Sequence, residues 1–451
     1  MSAANQPQAP IGWFGIFRLG LVQAALGAMV VLTTSTLNRV MVVELALPAL
    51  LPGMLVALHY MMQVLRPRMG FGSDVGGRRT PWIVGGMAVL ALGSIGAALA
   101  TAWMGTARTP GLLLAFASFL LIGGGVSAAG TSLLVLLAKR VPEDRRGPAA
   151  TIVWMMMIMG FAVTAGVAGR LLEPYSPERL VAVMLAICLT AWLLACLALR
   201  GVEGTGAAEP VAAEERPDFK AALREVWAEP AARRFTIFIF VSMLSYSAQD
   251  LILEPFAGSV FGWTPGRTTS LSGVQHGGVL AGMLLVALAS SPIAGRRFGS
   301  LRSWTVGGCL ASAVAMAGLV IGAQVGPAWP LAVTVFALGV ANGAFSIAAI
   351  GSMMQLAGQG RERREGVRMG LWGAAQAVAF GLGGVLGTGA SDLAHALIGS
   401  SAPAYASVFA LEGLAFVAAA VLAARLGSPA ARTHAAASQS SPRVAMATKT
   451  R

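Results

Sequence analysis

Charge is what this chain has least of. Only 11% of its 451 residues are Asp, Glu, Lys or Arg, against about a quarter in soluble domains, and the mean hydropathy is +0.73. Too few charges are present to cover a water-soluble globule, which excludes the soluble classes of enzyme and binding module. Cysteine is nearly absent too. Cys188, Cys196 and Cys309 fall in apolar runs without metal-ligand spacing, so neither a disulfide framework nor a metal site is expected. The chain shows no paired carboxylates with Mg-binding spacing, no nucleotide loop and no nucleophile beside a base, which argues against an enzyme. The net charge of +13 would suit a nucleic acid. However, the arginines stand in short segments between apolar runs, where membrane topology explains them, so no nucleic-acid partner is expected.

What the chain has instead is apolar length. Runs long enough to cross a bilayer, which takes about 20 apolar residues, occur near 16–35, 50–69, 82–103, 111–137, 149–171, 180–199, 235–254, 270–290, 304–324, 328–355, 369–390 and 403–426. The expected fold is therefore all-α, a polytopic membrane protein of twelve transmembrane helices. Fifty-six glycines and 21 methionines suit helices that pack closely and tolerate irregular apolar surfaces. The polar start leads straight into the first span, which reads as an uncleaved N-terminus. With that start cytoplasmic, the inner segments hold Arg66, Arg68, Lys139, Arg140, Arg146, Arg296, Arg297 and Arg302, and the outer loops hold only Arg39, Arg108, Arg170, Arg179 and Arg267. The asymmetry places both termini in the cytoplasm. Residues 201–234 are the one long polar interior stretch, a linker between a first half at 1–200 and a second at 235–426. Within the linker, Phe219, Leu223 and Trp227 share one face of a short amphipathic helix. The tail at 427–451, rich in Ala, Ser and Thr, is expected to be disordered.

The most informative loop lies between the second and third spans. Gly70, Asp74, Gly77, Arg78 and Arg79 stand there as G-x3-D-x2-G-R-R. Glycines allow a tight turn at the membrane face, and an Asp at that point is neutralised by arginines and a helix end. The pattern resembles the loop joining the second and third helices of the major facilitator superfamily. The halves also repeat: LAKRVPEDRRG at 137–147 pairs with LAGQGRERREG at 356–366, aligning Glu143 with Glu362 and Arg145 with Arg364. Two parallel, pseudo-symmetric six-helix halves are what that superfamily shows.

Polar residues inside spans carry function by default. The richest group is Gln249, Asp250 and Glu254 at the outer end of the seventh span, followed by Pro255, which is expected to stop the helix. Arg39 and Glu44, around the first outer loop, face the same side and complement it. The group either ties helix ends across the two halves, or gates a central cavity from outside or grips a polypeptide. The segment QDLILEPFAGSVFGW at 249–263, with GSDVGGRRTPW at 72–82 and TSTLNRVMVVELALPALLPGMLVALHY at 34–60, resembles the PucC/LhaA family of bacterial light-harvesting assembly proteins, also called the bacteriochlorophyll delivery family. The resemblance runs from about Gly12 to Leu426.

It implies a membrane assembly factor of bacterial photosynthesis that is not an enzyme. Such a factor binds bacteriochlorophyll and delivers it to antenna polypeptides in an inner or intracytoplasmic membrane, with pigment-synthesis enzymes and membrane lipids as further partners. A pigment magnesium accepts an axial ligand such as a neutral imidazole. Only His59 and His276 lie within spans, 17 and 19 residues before Gly76 and Gly295, so they are the candidate pigment ligands, although helix-to-helix hydrogen bonding is the commoner use of such residues. His395 and His434 are assigned to an outer loop and the tail. Trp154 with Met155, Met156, Met157 and Met159 offers either core packing or a soft face for a flat macrocycle. Glu412 is the most isolated intramembrane carboxylate. The alternative function, a secondary transporter of a small molecule, needs ionisable groups at the midplane, and the first, fourth, fifth, tenth and eleventh spans have almost none away from their ends.

Overall fold

The computed structural model describes residues 11–65, 78–142, 145–204, 224, 227–289, 299–358 and 365–425. They form helices and connections, with no strand among them. In chain order the helices are α1 (Trp13–Glu44), α2 (Leu50–Met61, continued by a 3-10 turn Met62–Leu65), α3 (Thr80–Met104), α4 (Arg108–Arg140), α5 (Arg146–Leu171) and α6 (Pro177–Leu199). They continue as α7 (Pro230–Phe261), α8 (Pro265–Ala289), α9 (Leu301–Val325), α10 (Leu331–Gly358), α11 (Glu365–Ile398) and α12 (Ser401–Arg425). Among the described residues eleven are long and apolar enough to cross a membrane, and α2 is a shorter apolar helix. Each boundary has a local cause. Ser176 and Ser300 accept the backbone N–H of Arg179 (3.1 Å) and Ser303 (3.2 Å) at the starts of α6 and α9. Gly262, at φ 67°, takes the left-handed turn that ends α7.

Three apolar cores form among the described residues: one mainly within α1–α6, one within α7–α12, and a smaller one that joins Ile158 of α5 to Val279 and Met283 of α8 and Ala348 of α10. In the first, α3 packs along α4, and α1 along α5 and α6; in the second, α8 packs along α10, α9 along α10 and α12, and α7 along α11. The halves meet where α5 packs on α8 and α2 on α11. Exposed Leu113, Val314, Val333 and Leu397 form part of the outward apolar surface, which suits lipid. The tightest contacts rely on glycine: a Cβ on Gly343 of α10 would overlap the Val279 carbonyl of α8, whereas Gly277 of α8 has open space.

The structure moves three boundaries. The first helix does not end near 35 but runs on to Glu44 through two π-helical stretches, Leu32–Thr36 and Val40–Glu44. Arg39 is therefore inside a helix and buried, not in an outer loop. Pro255 does not stop α7, which continues to Phe261; membrane helices tolerate proline because neighbouring helices satisfy the freed carbonyl. His395 lies in the last turn of α11, bonded to the Ser391 carbonyl at 2.7 Å, not in a loop.

Gly70, Asp74, Gly77, Glu143, Glu362, Arg364, Phe219, Leu223, His434 and the 427–451 tail lie outside the described residues. Of the loop motifs, Arg78, Arg79 and Arg145 are among the described residues. Arg145 stacks over the Trp13 ring at 5.6 Å. The start of α3 is capped by Glu203, just after α6: its carboxylate accepts the backbone N–H of Arg79 and, at 2.8 Å, of Thr80, with Arg78 4.0 Å away. Burial pushes the Glu203 carboxyl up, but those hydrogen bonds and Arg78 outweigh it and hold it below the usual carboxylate range.

Two predictions follow from this packing. Gly343→Ala should destabilise the protein by about 1–3 kcal/mol through overpacking, read as a lower Tm in detergent, with Gly277→Ala near wild type; equal Tm values would refute the contact. A depressed carboxyl stabilises the fold at neutral pH and loses that contribution as pH falls through its folded pKa. Glu203→Gln should therefore lower Tm at pH 7, and the gap to wild type should close on acidification. A gap constant from pH 7 to pH 3 would rule out the ionised cap.

Candidate functional site

Between the halves lies a cavity of about 350 Å³, at the small end of the range of roughly 300–1,000 Å³ for small-molecule sites. Its walls come from α1, α2, α4 and α5 on one side and α7, α8, α10 and α11 on the other. Most of the wall is apolar and aromatic, with Trp154, Phe161, Tyr246, Trp372 and Phe380 set among Met157, Met243 and Met283. His59 and His276, far apart in sequence, both line it. They sit on the corresponding second helices of the two halves, and each is almost fully buried. The His276 ring meets the edge of Phe161 at 5.0 Å, and its Nδ1 lies 2.9 Å from the Ser272 carbonyl; the His59 ring sits 4.7 Å from Tyr60. The methionine cluster is divided: Met157 faces the cavity, Met156 packs against Gly20 of α1, and Met159 is partly exposed.

Beyond His276, away from the termini, the lining passes into a polar layer. Asp250 lines the cavity and accepts the Gln275 amide at 2.9 Å. Glu254, one turn on, accepts the Ser272 hydroxyl at 2.6 Å. Arg39 of α1 lies within electrostatic reach of Glu254, pairs with Glu44 and donates to the Trp263 carbonyl at 2.7 Å. Gly258 makes room for that guanidinium, since a Cβ there would stand 3.0 Å from Nη2. Arg267 lies 3.9 Å above the Trp263 ring. The predicted group of Gln249, Asp250, Glu254, Arg39 and Glu44 thus separates. Arg39 and Glu44 pair with each other and Glu254 faces Arg39, while Asp250 belongs to the cavity. Gln249 is fully buried outside the lining, and neither of its amide atoms has a hydrogen-bond partner.

Further ties join the halves on the same side. Thr36 and Thr269 share a hydrogen bond of 2.9 Å, Asn38 donates to the Leu251 carbonyl at 2.6 Å, and Thr264 donates to Glu173. Asp392 of α11 accepts the backbone N–H groups of Ala49 and Leu50 at 2.8 and 2.7 Å, holding the start of α2. These ties close the bundle on the face opposite the termini, while Gln63, Leu134, Ala150 and Trp372 carry the cavity toward the terminal face. Gln23, Gln63, Gln376, Ser272 and Asp392 were missed from sequence. The signal is present in the sequence as isolated polar residues within or beside apolar runs, but nothing local says that they face one another. Glu412 is buried in α12, and neither carboxylate oxygen has a hydrogen-bond partner. Among the described residues no group of three or more His, Cys, Asp or Glu is arranged to hold a metal ion.

The model of the PUCC protein family matches residues 36–430. The chain is 54% identical over 413 residues to the bacteriochlorophyll synthase 44.5 kDa chain of Rhodobacter capsulatus, covering 92% of this chain and 95% of that one. It is 31% identical over 424 residues to protein PucC of Cereibacter sphaeroides, covering 88% of each. Among solved structures it is similar to a bacterial homologue of the human drug peptide transporters, with a TM-score of 0.66 at 16% identity, over 93% of this chain and 99% of that one. The last likeness shows the fold alone, that of the major facilitator superfamily.

If Arg39 holds the far face shut, a cysteine at Thr36 should be inert to an impermeant maleimide applied to that face and become labelled once Arg39→Gln is added. Equal labelling with and without Arg39→Gln would show that the guanidinium is not what closes it.

Proposed function

The chain belongs to the PUCC protein family, and from that premise we propose that it is a non-enzymatic factor for assembling bacterial light-harvesting complexes, which holds bacteriochlorophyll in its central cavity and delivers it to antenna polypeptides. Family membership and the R. capsulatus relative support a role in photosynthetic pigment and complex assembly. The observation that carries the finer reading is the cavity itself. Aromatic rings and methionines give broad, polarisable walls for a flat macrocycle, and His59 and His276 supply neutral nitrogen donors for a magnesium at its centre. The pigment is cargo here, and the protein's own work is to shelter it from water and present it. The face bearing the termini, toward which the cavity runs, is the cytoplasmic face of an inner or intracytoplasmic membrane, in keeping with the arginines gathered there. Burial of Arg39 in α1 removes one positive charge from the outer loops and sharpens that asymmetry. Antenna polypeptides and pigment-synthesis enzymes are the partners this reading requires.

A second reading, a secondary carrier of a small molecule, is favoured by one observation. Arg39, Glu254, Asp250 and His276 form a buried polar path from the cavity to the closed face, and intramembrane ionisable groups of that kind mark ion or substrate pathways. Arg39 is itself an ionisable group buried within the first span.

Purification from the native membrane in mild detergent separates the two readings. The assembly factor should carry bacteriochlorophyll absorbance and co-purify with antenna polypeptides, with less pigment in His59→Ala or His276→Ala. A preparation with neither pigment nor antenna polypeptides, together with solute uptake by vesicles containing the protein, would transfer the assignment to the carrier.

A further inference from the structure

Three nitrogen donors along the cavity wall lack an oxygen acceptor. The Trp372 indole Nε1 is buried without a hydrogen-bond partner. The Gln376 amide nitrogen, one turn along α11 from Trp372, is paired with the Met243 sulfur at 3.9 Å, and the Gln23 amide nitrogen of α1 with the Met157 sulfur at 3.2 Å. A thioether is a weak acceptor, and a donor held in a low-dielectric site gains far more from an oxygen. Trp372 and Gln376, at i and i+4, share one face of α11.

At the other end of the cavity His276 has the opposite character. A carbonyl oxygen only accepts, so the 2.9 Å contact with Ser272 places the ring proton on Nδ1 and leaves the Nε2 lone pair available. Phe161 fixes the ring plane at 83° to its own. A histidine whose other nitrogen is anchored to a backbone carbonyl is the arrangement that metal-ligating histidines adopt, because the anchor sets both tautomer and direction.

We propose that the cavity reads its ligand at two ends: His276 Nε2 coordinates a magnesium at the centre of a macrocycle, while Trp372, Gln376 and Gln23 bind carbonyl oxygens on its rim. The inference rests on the pigment reading and deepens it, by making the metal and the rim oxygens, and not the apolar surface alone, the features selected. His276 is the magnesium ligand of this arrangement, because the Ser272 carbonyl sets its tautomer.

The full chain in detergent, titrated with bacteriochlorophyll a and with its magnesium-free counterpart bacteriopheophytin a, tests this by tryptophan quenching and by the visible band that reports axial coordination. Wild type should bind the magnesium pigment about tenfold or more tighter than the metal-free one, in line with the loss expected when support for a ligated metal is removed. His276→Ala should abolish that preference and the coordinated band, and added imidazole should restore the band. Trp372→Phe, which keeps a ring but loses the donor, should weaken both pigments about equally, by several-fold. Equal affinity of wild type for the two pigments overturns the proposal without any mutant, as does a coordinated band that survives in His276→Ala. Failure of wild type to bind either pigment would remove the pigment reading itself.

Discussion

A polar group inside hydrocarbon has no water to turn to, and its partner must come from another helix. Arg39 is where this constraint acts most strongly. A guanidinium carried deep in α1 is held between Glu44 on its own helix and the Trp263 carbonyl just beyond α7, in reach of Glu254. Because these partners belong to different halves, satisfying one charge draws the halves together on one face. The carboxylate of Asp392 on the first turn of α2 and the Thr36–Thr269 bond act at the same end. The cavity that runs toward the other face follows from where the polar groups were spent.

The apolar packing makes the complementary contribution. Glycine lets α8 lie directly on α10, which fixes the backbone of α8 and with it the heights of Ser272 and His276. Ser272 then serves two layers at once: its carbonyl anchors the histidine that faces the cavity, and its hydroxyl binds the Glu254 carboxylate that faces Arg39. One residue thereby links the wall of the cavity to the closure above it. That link distinguishes this cavity from a passive apolar hole, and it gives the assembly-factor and carrier readings a common geometry.

Much of the fold was legible because bilayer thickness imposes a length on every crossing, and that length survives in the sequence as apolar runs. Boundaries were less legible for a stated reason. Arg39, Pro255 and the Ser391–Asp392–His395 group each look like a break in an apolar run, yet each lies within a helix: Arg39 reaches the Trp263 carbonyl, Asp392 holds the start of α2, and His395 bonds back to Ser391. Glu203 illustrates the same limit in a loop: nothing local ties it to Arg79 and Thr80, more than a hundred residues earlier, and only the return of the chain beside α3 makes it a cap.

The sequence by itself determined a charge-poor, twelve-span chain with repeated halves and two intramembrane histidines at corresponding places, since hydropathy, spacing and repetition are properties of one dimension. It did not determine that the two histidines face one cavity, that the amides of Gln23 and Gln376 and the indole of Trp372 share that cavity, or that Asp250 and Glu254 serve different layers. Those facts depend on which helix faces which, and that was decided by packing glycine against backbone and by pairing buried charge across the halves, neither of which is written in any single stretch of the chain.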